Sequence, residues 1–270
     1  MEWQTGTFSS IDWNYGAGGN SNTSNKYKFF KELLTFVIIG VRVVAEHFGR
    51  GLHRTVYKFK SGQSFVVAKL QKADRQENQN ELAAFTTMMK IRPEHVPMFN
   101  KKMFTLNFSD HSLCALLVEF VPFTGGDFVR ALLQEPSTFD NRQRLAHFMV
   151  QLVELINEFH NCYGFLIKDV SLCNVGLRSL EERTVLLIDL DRFEKAGAET
   201  AVRTLKRMYT VPGEVAQIAL DFQACDETWR NINWFGLKNF FANITEFDAV
   251  MFRSYCDSLF SVTEVPEVLL

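Results

Sequence analysis

The chain has 270 residues, of which 47% are hydrophobic and 22% charged, a balance that suits a buried core and excludes a disordered chain. A net charge of −2 and a pI near 6.3 exclude a dedicated nucleic-acid or anionic-membrane binder, which would carry a basic surplus. Five cysteines, an odd number with no CxxC pairing, argue against a disulfide scaffold or a zinc site.

Residues 1–25 are rich in Gly, Ser, Asn and Thr and read as a flexible extension. The apolar run Leu33 to Val41 is far shorter than the roughly 20 residues of a membrane-spanning helix, so it reads as core with no membrane span. The segments VRVVAEHF, TVYKFK and SFVVAKL are β-branched and aromatic between glycines, and predict three strands within 43–70. Residues 75–92 predict a helix with Leu82, Phe85, Met88 and Met89 on one face. HSLCALLVEFVPF predicts a buried strand ending at Pro122. GGDFVRALLQE starts a short helix, and 140–160 forms a long one with Leu145, Phe148, Leu152, Leu155, Ile156 and Phe159 at helical spacing. A loop within GFLIKDVSLCNVGL follows, then a strand in TVLLIDLDRF, then helices and loops over 198–270. This order predicts an α+β protein with a small β-rich part (26–121) and a mostly helical part (122–270).

Four segments carry chemistry. Gly49 and Gly51, one residue apart, let backbone N–H groups approach phosphate, and Val56 on the next strand could cover a purine; alone, such a GxG is as well read as a plain turn. Lys69 ends the apolar run Phe65-Val-Val-Ala-Lys69, where an ammonium wants an anion; Glu81 and Glu77 on the following helix are the nearest carboxylates. Without such a partner it would be a lysine snorkelling from a strand end. Asp169 and Asn174 lie five apart in the loop Ile167-Lys168-Asp169-Val-Ser171-Leu-Cys-Asn174. There Asp169 can orient an attacking hydroxyl and Asn174 can hold a metal; ordinary Asx-turn chemistry is the plainer reading. Asp189 ends the run Val185-Leu-Leu-Ile-Asp189, a hard oxygen ligand for Mg²⁺ or a strand-end charge.

Taken in order, these segments resemble the protein kinase superfamily: glycine-rich loop, VAIK-type lysine, helix glutamate, HRDxxxxN-type loop and DFG-type aspartate. LLVEFVPFTGGDF is similar to a kinase hinge, with Val118 as gatekeeper. The resemblance implies a bilobal protein kinase-like fold with a small β-rich N-lobe and a reduced helical C-lobe. It further implies that ATP and Mg²⁺ or Mn²⁺ are the cofactors, with Glu119 and Val121 offering backbone groups to adenine and Asp127 reaching the ribose. By the same resemblance Lys69, held by Glu81, orients the α- and β-phosphates, Asn174 and Asp189 hold metal, Asp169 orients the acceptor and Lys168 offsets charge on the transferred group. The sequence departs from the family pattern: Arg54 replaces the third loop glycine, Val67 the VAIK alanine, Ile167 and Lys168 the His and Arg of HRD, and Asp191 the DFG glycine. Asp169, Val170, Asn174 and Gly176, with the DLD triplet, have a weaker similarity to the divergent protein kinase domain family of the secretory pathway. The implied activity is phosphotransfer from ATP to a hydroxyl acceptor on a protein. The alternatives are a pseudokinase acting as a scaffold or allosteric partner, and transfer of AMP.

Other residues have structural readings. His147 and His160 belong to the long helix, Trp229 and Trp234 pack the helical part, and Cys173 is a small buried filler. Sequons at Asn22, Asn107 and Asn243 point to a secretory lumen, while the few cysteines point to a reducing cytoplasm.

Overall fold

The computed structural model describes residues 33–38, 41–50, 54–107, 112–167, 169–195, 210–221, 225–240 and 249–261. The expected extension at 1–25, together with Gly51 and Lys168, lies outside the described residues. The chain is α+β and divides into two compact units: Met1–Ile91 with Pro97–Phe120, and Arg92–Val96 with Val121–Leu270.

The first unit is built on a six-stranded antiparallel sheet in the order β1-β2-β3-β4-β6-β5. Its strands are β1 (Leu33–Ile38), β2 (Val41–Arg50), β3 (Thr55–Ser61), β4 (Ser64–Lys72), β5 (Phe104–Asn107) and β6 (Ser112–Glu119). The apolar run from Leu33 thus becomes an edge strand. β5 has no strong pattern in the sequence, and it forms by pairing with β6. The turn between β3 and β4 uses Gly62 at φ 63°, a left-handed conformation that glycine adopts without a Cβ clash.

Alternation along the strands sorts the sheet into two faces. Tyr57, Ala68 and Leu117 are mutually opposed and join Phe59, Val66 and Leu70 in a buried apolar cluster. The other face carries Val56, Lys69 and Leu116 in one row and Lys58, Val67 and Val118 in the next. The helix α1 (Glu77–Ile91) lies on this second face, burying Phe85 and Met88; the Phe85 ring stands 5.3 Å from that of Phe99.

The start of α1 is fastened by a side chain that the sequence pattern did not single out. Asn78 is fully buried; its Nδ2 donates to Lys69 O (2.8 Å) and Cys114 O (3.1 Å), and its backbone N–H donates to Gln71 Oε1 (2.9 Å). These bonds tie the first turn of α1 to β4 and β6. Glu81, one turn further on, is thereby carried to Lys69.

The second unit combines helices with two small sheets. α2 (Gly125–Gln134) and α3 (Phe139–Tyr163) are followed by α4 (Thr210–Leu220), α5 (Trp234–Phe240) and α6 (Ala249–Phe260). Thr124 caps α2 through a capping box with Asp127, and Thr138 caps α3. Gly164 ends α3 at φ 64° and bonds back to His160 O, the usual left-handed stop. Leu145, Phe148, Leu152, Leu155, Ile156 and Phe159 are all buried along α3, as their spacing predicts. Trp229 and Trp234 are buried with rings 6.2 Å apart, and their indole N–H groups donate to Glu135 O and Trp229 O.

The short segment Arg92–Val96, placed in sequence among the first unit's elements, belongs to the second. His95 Nδ1 lies 2.8 Å from Val185 O, and Arg92 binds Glu158 with Nε and Nη2. The strand expected over TVLLIDLDRF is two short strands, β10 (Leu186–Leu187) and β11 (Phe193–Lys195), because each pairs with a different partner. The buried strand expected to run to Pro122 likewise stops at Glu119, and β7 (Phe123–Thr124) joins another sheet.

Candidate functional site

In the first unit the chemistry gathers on the α1 face of the sheet. Directly opposed residues of an antiparallel pair share a face, so the register Gly49↔Val56↔Lys69 places all three there, with Val67 and Val118 in the neighbouring row. A bulge between His47 and Gly49 shifts the register of β2, and pairing resumes at Gly49. Gly49 still lies within the strand, and a Cβ built on it would meet nothing within 4 Å. Val56 is half-buried and Val118 fully buried.

Lys69 is 7% exposed and Glu81 0% exposed, and Lys69 Nζ donates to Glu81 Oε1 at 2.5 Å. Glu81 rather than Glu77 is therefore the partner. The second oxygen, Glu81 Oε2, accepts from Arg54 Nη1, and Arg54 is itself buried at 8%. In the sequence Arg54 reads as a departure in the glycine loop, because its partner Glu81 lies 27 residues further on, where no local spacing points to it.

At the hinge-like segment, Glu119 pairs with Val66 and spends its N–H on Met98 O (2.7 Å), while its Oε2 accepts from Met98 N. Phe120 N donates to Phe65 O, and the Phe120 ring carries Lys58 Nζ at 3.6 Å from its centroid. Val121 begins the second unit and packs over Gly176. Asp127 serves the α2 cap. Its Oδ2 accepts from Thr124 N (2.9 Å) and Thr124 Oγ1 (2.7 Å), and its Oδ1 accepts from Arg130. The Thr124 backbone N–H and hydroxyl, then Arg130, hold its carboxyl below the ordinary carboxylate range.

In the second unit, two ladders set two loops side by side. β8 (Phe165–Ile167) pairs with β11, putting Ile167 opposite Phe193. β9 (Val175–Leu177) pairs with β10, putting Val175 opposite Leu187. The loop that leaves β8 and enters β9 therefore runs beside the loop that leaves β10 and enters β11. The first contains Asp169 and Asn174, the second Asp189, Asp191 and Arg192. Ile188 N donates to Asn174 O (3.0 Å), and Arg192 Nη1 stands 3.7 Å from Asp169 Oδ2. Arg192 is the residue here that sequence reasoning did not name.

The Asp169 loop is anchored mainly through its backbone. Asn174 Nδ2 donates to Asp169 O (2.9 Å), which turns Asn174 Oδ1 away from that bond. Leu172 N donates to Glu214 Oε2 (2.7 Å), and Thr210 Oγ1 donates to Val170 O (2.5 Å). Both anchors come from α4. Gly176 is required by packing: a Cβ there would stand 2.6 Å from Val121 Cγ1 and 3.1 Å from Ile188 Cγ2.

Cys173 corrects an expectation. It is exposed rather than buried, with Sγ 2.8 Å from Ser171 Oγ, since Val170 and Leu172 take the buried places in this loop. The buried thiols are Cys114 and Cys256, and the pKa of Cys256 is pushed up to about 12 by burial first and then by Asp257.

Among the described residues no group of three or more His, Cys, Asp or Glu side chains is gathered as a metal cage. Asn174 and Asp189 are oxygen donors on neighbouring loops, a set that suits Mg²⁺, which takes one or two protein ligands and fills its shell with water and phosphate oxygens. No helix among the described residues is long and apolar enough to cross a membrane. No protein-family model matches the chain, and no curated protein matches its sequence.

Proposed function

We propose that the protein is a divergent protein kinase-like phosphotransferase, with the first unit as a β-rich N-lobe and the second as a reduced helical C-lobe. It transfers the γ-phosphoryl group of ATP to a hydroxyl on a protein acceptor. The observation that carries this reading is the buried Lys69–Glu81 pair. A lysine taken out of water within a strand and fixed by a helix carboxylate is costly to keep for stability alone. Aimed at phosphate, it has a use.

Each residue then has a role. Lys69, oriented by Glu81, binds the α- and β-phosphates, while Gly49 and Val56 border the nucleotide. Val118 flanks the base, and Glu119 and Val121 offer it backbone groups. Asn174 and Asp189 would hold Mg²⁺ or Mn²⁺, which neutralises phosphate charge when bound. Asp169 orients the acceptor hydroxyl and takes its proton, and Lys168 offsets charge on the transferred group. Fixing the Asp169 loop by Glu214, Thr210 and Asn174 keeps that carboxylate in place at low entropic cost during reaction.

A second reading, a nucleotide-binding pseudokinase that acts through a protein partner, is favoured by one observation. Arg192 Nη1 stands 3.7 Å from Asp169 Oδ2, on the carboxylate that an acceptor hydroxyl would have to reach. The mass of a protein acceptor after incubation with ATP and Mg²⁺ or Mn²⁺ separates the readings. Gain of phosphate, abolished by Asp169→Asn, is the expected result. Gain of AMP would replace phosphotransfer with nucleotidyl transfer, and an unchanged mass with nucleotide bound would leave the pseudokinase.

A further inference from the structure

We propose that the second unit carries a separate binding site for a small aromatic carboxylate, in the cavity bordered by α2, α3 and the turn that leads from β9 to β10. The site lies wholly in this unit and does not depend on the nucleotide reading. The cavity holds about 150 Å³, and a space of about that size takes one benzene ring. Its apolar wall is Phe128, Phe148 and Leu177, with the two rings 5.0 Å apart.

Positive charge stands at the rim. Arg144 is half-buried; its Nη2 donates to Leu180 O (2.8 Å), its Nη1 lies 3.4 Å from Asn141 Oδ1, and its guanidinium carbon is 5.9 Å from the centre of the Phe128 ring. All three partners are neutral. Asp140 stands four residues earlier, a spacing at which a helix commonly pairs a carboxylate with an arginine, yet the guanidinium turns to Leu180 instead. Asp140 lies in the first turn of α3, where the helix N-terminus offsets its charge. Glu182, the other carboxylate of the lining, accepts from Arg178 N (2.8 Å). Arg183 also lines the cavity and makes no ion pair or hydrogen bond among the described residues. The His147 imidazole beside it is pushed below its ordinary value by burial first and then by Arg183 and Arg253, with Glu154 opposing. The field at this rim is therefore positive. A guanidinium fixed against an aromatic wall, its charge unmet, offers its planar fork to a carboxylate whose ring enters the cavity. Asp140 and Glu182 on the same rim limit the ligand to a single negative charge.

The test follows benzoate binding to the full chain by NMR chemical-shift titration, for wild type, Arg144→Gln and Arg183→Gln. Benzamide supplies the ring without the charge, and acetate the charge without the ring. Wild type is expected to bind benzoate saturably, about tenfold or more tighter than either control. Arg144→Gln should weaken benzoate by about tenfold or more, the loss of a hydrogen-bonded charge contact. Arg183→Gln should weaken it by about threefold, the share of a solvent-screened charge. Should Arg144→Gln fail to fold for want of its bond to Leu180, Arg183→Gln carries the test on its own. No saturable benzoate binding by wild type, benzamide or acetate binding as tightly as benzoate, or unchanged benzoate affinity in the variants that fold overturns the site and leaves the nucleotide reading intact.

Discussion

The two units hold their chemical groups by opposite means. In the first, Lys69, Arg54 and Glu81 are buried side chains on a sheet face and a helix, held by one another. In the second, Asp169 and Arg192 stand on loops with about half their side-chain surface in water, and the loop backbone is what the protein fixes, through Glu214, Thr210 and Asn174. Groups in the first unit should therefore be coupled to stability, and those in the second should be separable from it.

The largest expected effect tests that contrast directly. Glu81→Ala takes the shared carboxylate from two buried cations and should cost about 3–5 kcal/mol in denaturant unfolding. Asp169→Ala removes one side of an exposed pair and should cost no more than about 1 kcal/mol. Equal costs would erase the distinction.

Gly176→Ala sharpens the comparison from the second unit's side. The new methyl would press on Val121 Cγ1 at 2.6 Å, an overpacking that typically costs about 1–3 kcal/mol. Val121→Ala in the same chain should recover most of the loss, and failure to recover would place the requirement for glycine elsewhere.

Smaller still is the α2 cap. Thr124→Ala should cost about 1 kcal/mol, the usual value of a cap. The Asp127 carboxyl is depressed in the folded state, so its contribution is complete above the unfolded value of 3.8 and is lost as pH falls through the lower folded value. The gap in stability between wild type and Asp127→Asn should therefore be widest at neutral pH and close under acid. A gap independent of pH would mean that the carboxylate charge plays no part.

Much of this organisation was legible in the sequence because it is periodic. The long apolar stripe of α3 and the strands β3, β4 and β6 follow from spacing alone. Lys69 stood out as a charge ending an apolar run, and the helix after it offered carboxylates, yet the choice of Glu81 over Glu77 depended on Asn78 fastening the first turn of α1. Short elements were not legible. β8 to β11 have two or three residues each and take their form from pairing, so the single strand expected over TVLLIDLDRF became two. Arg54 and Arg192 were missed for the same reason: their roles come from partners 27 residues away and across neighbouring loops, which no local pattern encodes.

Central to the proposed function is the binding of ATP through a metal held at Asp189. Titration of the full chain with ATP, with and without Mg²⁺ or Mn²⁺, followed by thermal unfolding and set beside Asp189→Ala, tests it most directly. The prediction is a metal-dependent gain in stability, about 2.7 kcal/mol at a hundredfold excess over the dissociation constant, that Asp189→Ala abolishes while remaining folded. No gain with any nucleotide, or an equal gain in Asp189→Ala, would contradict it.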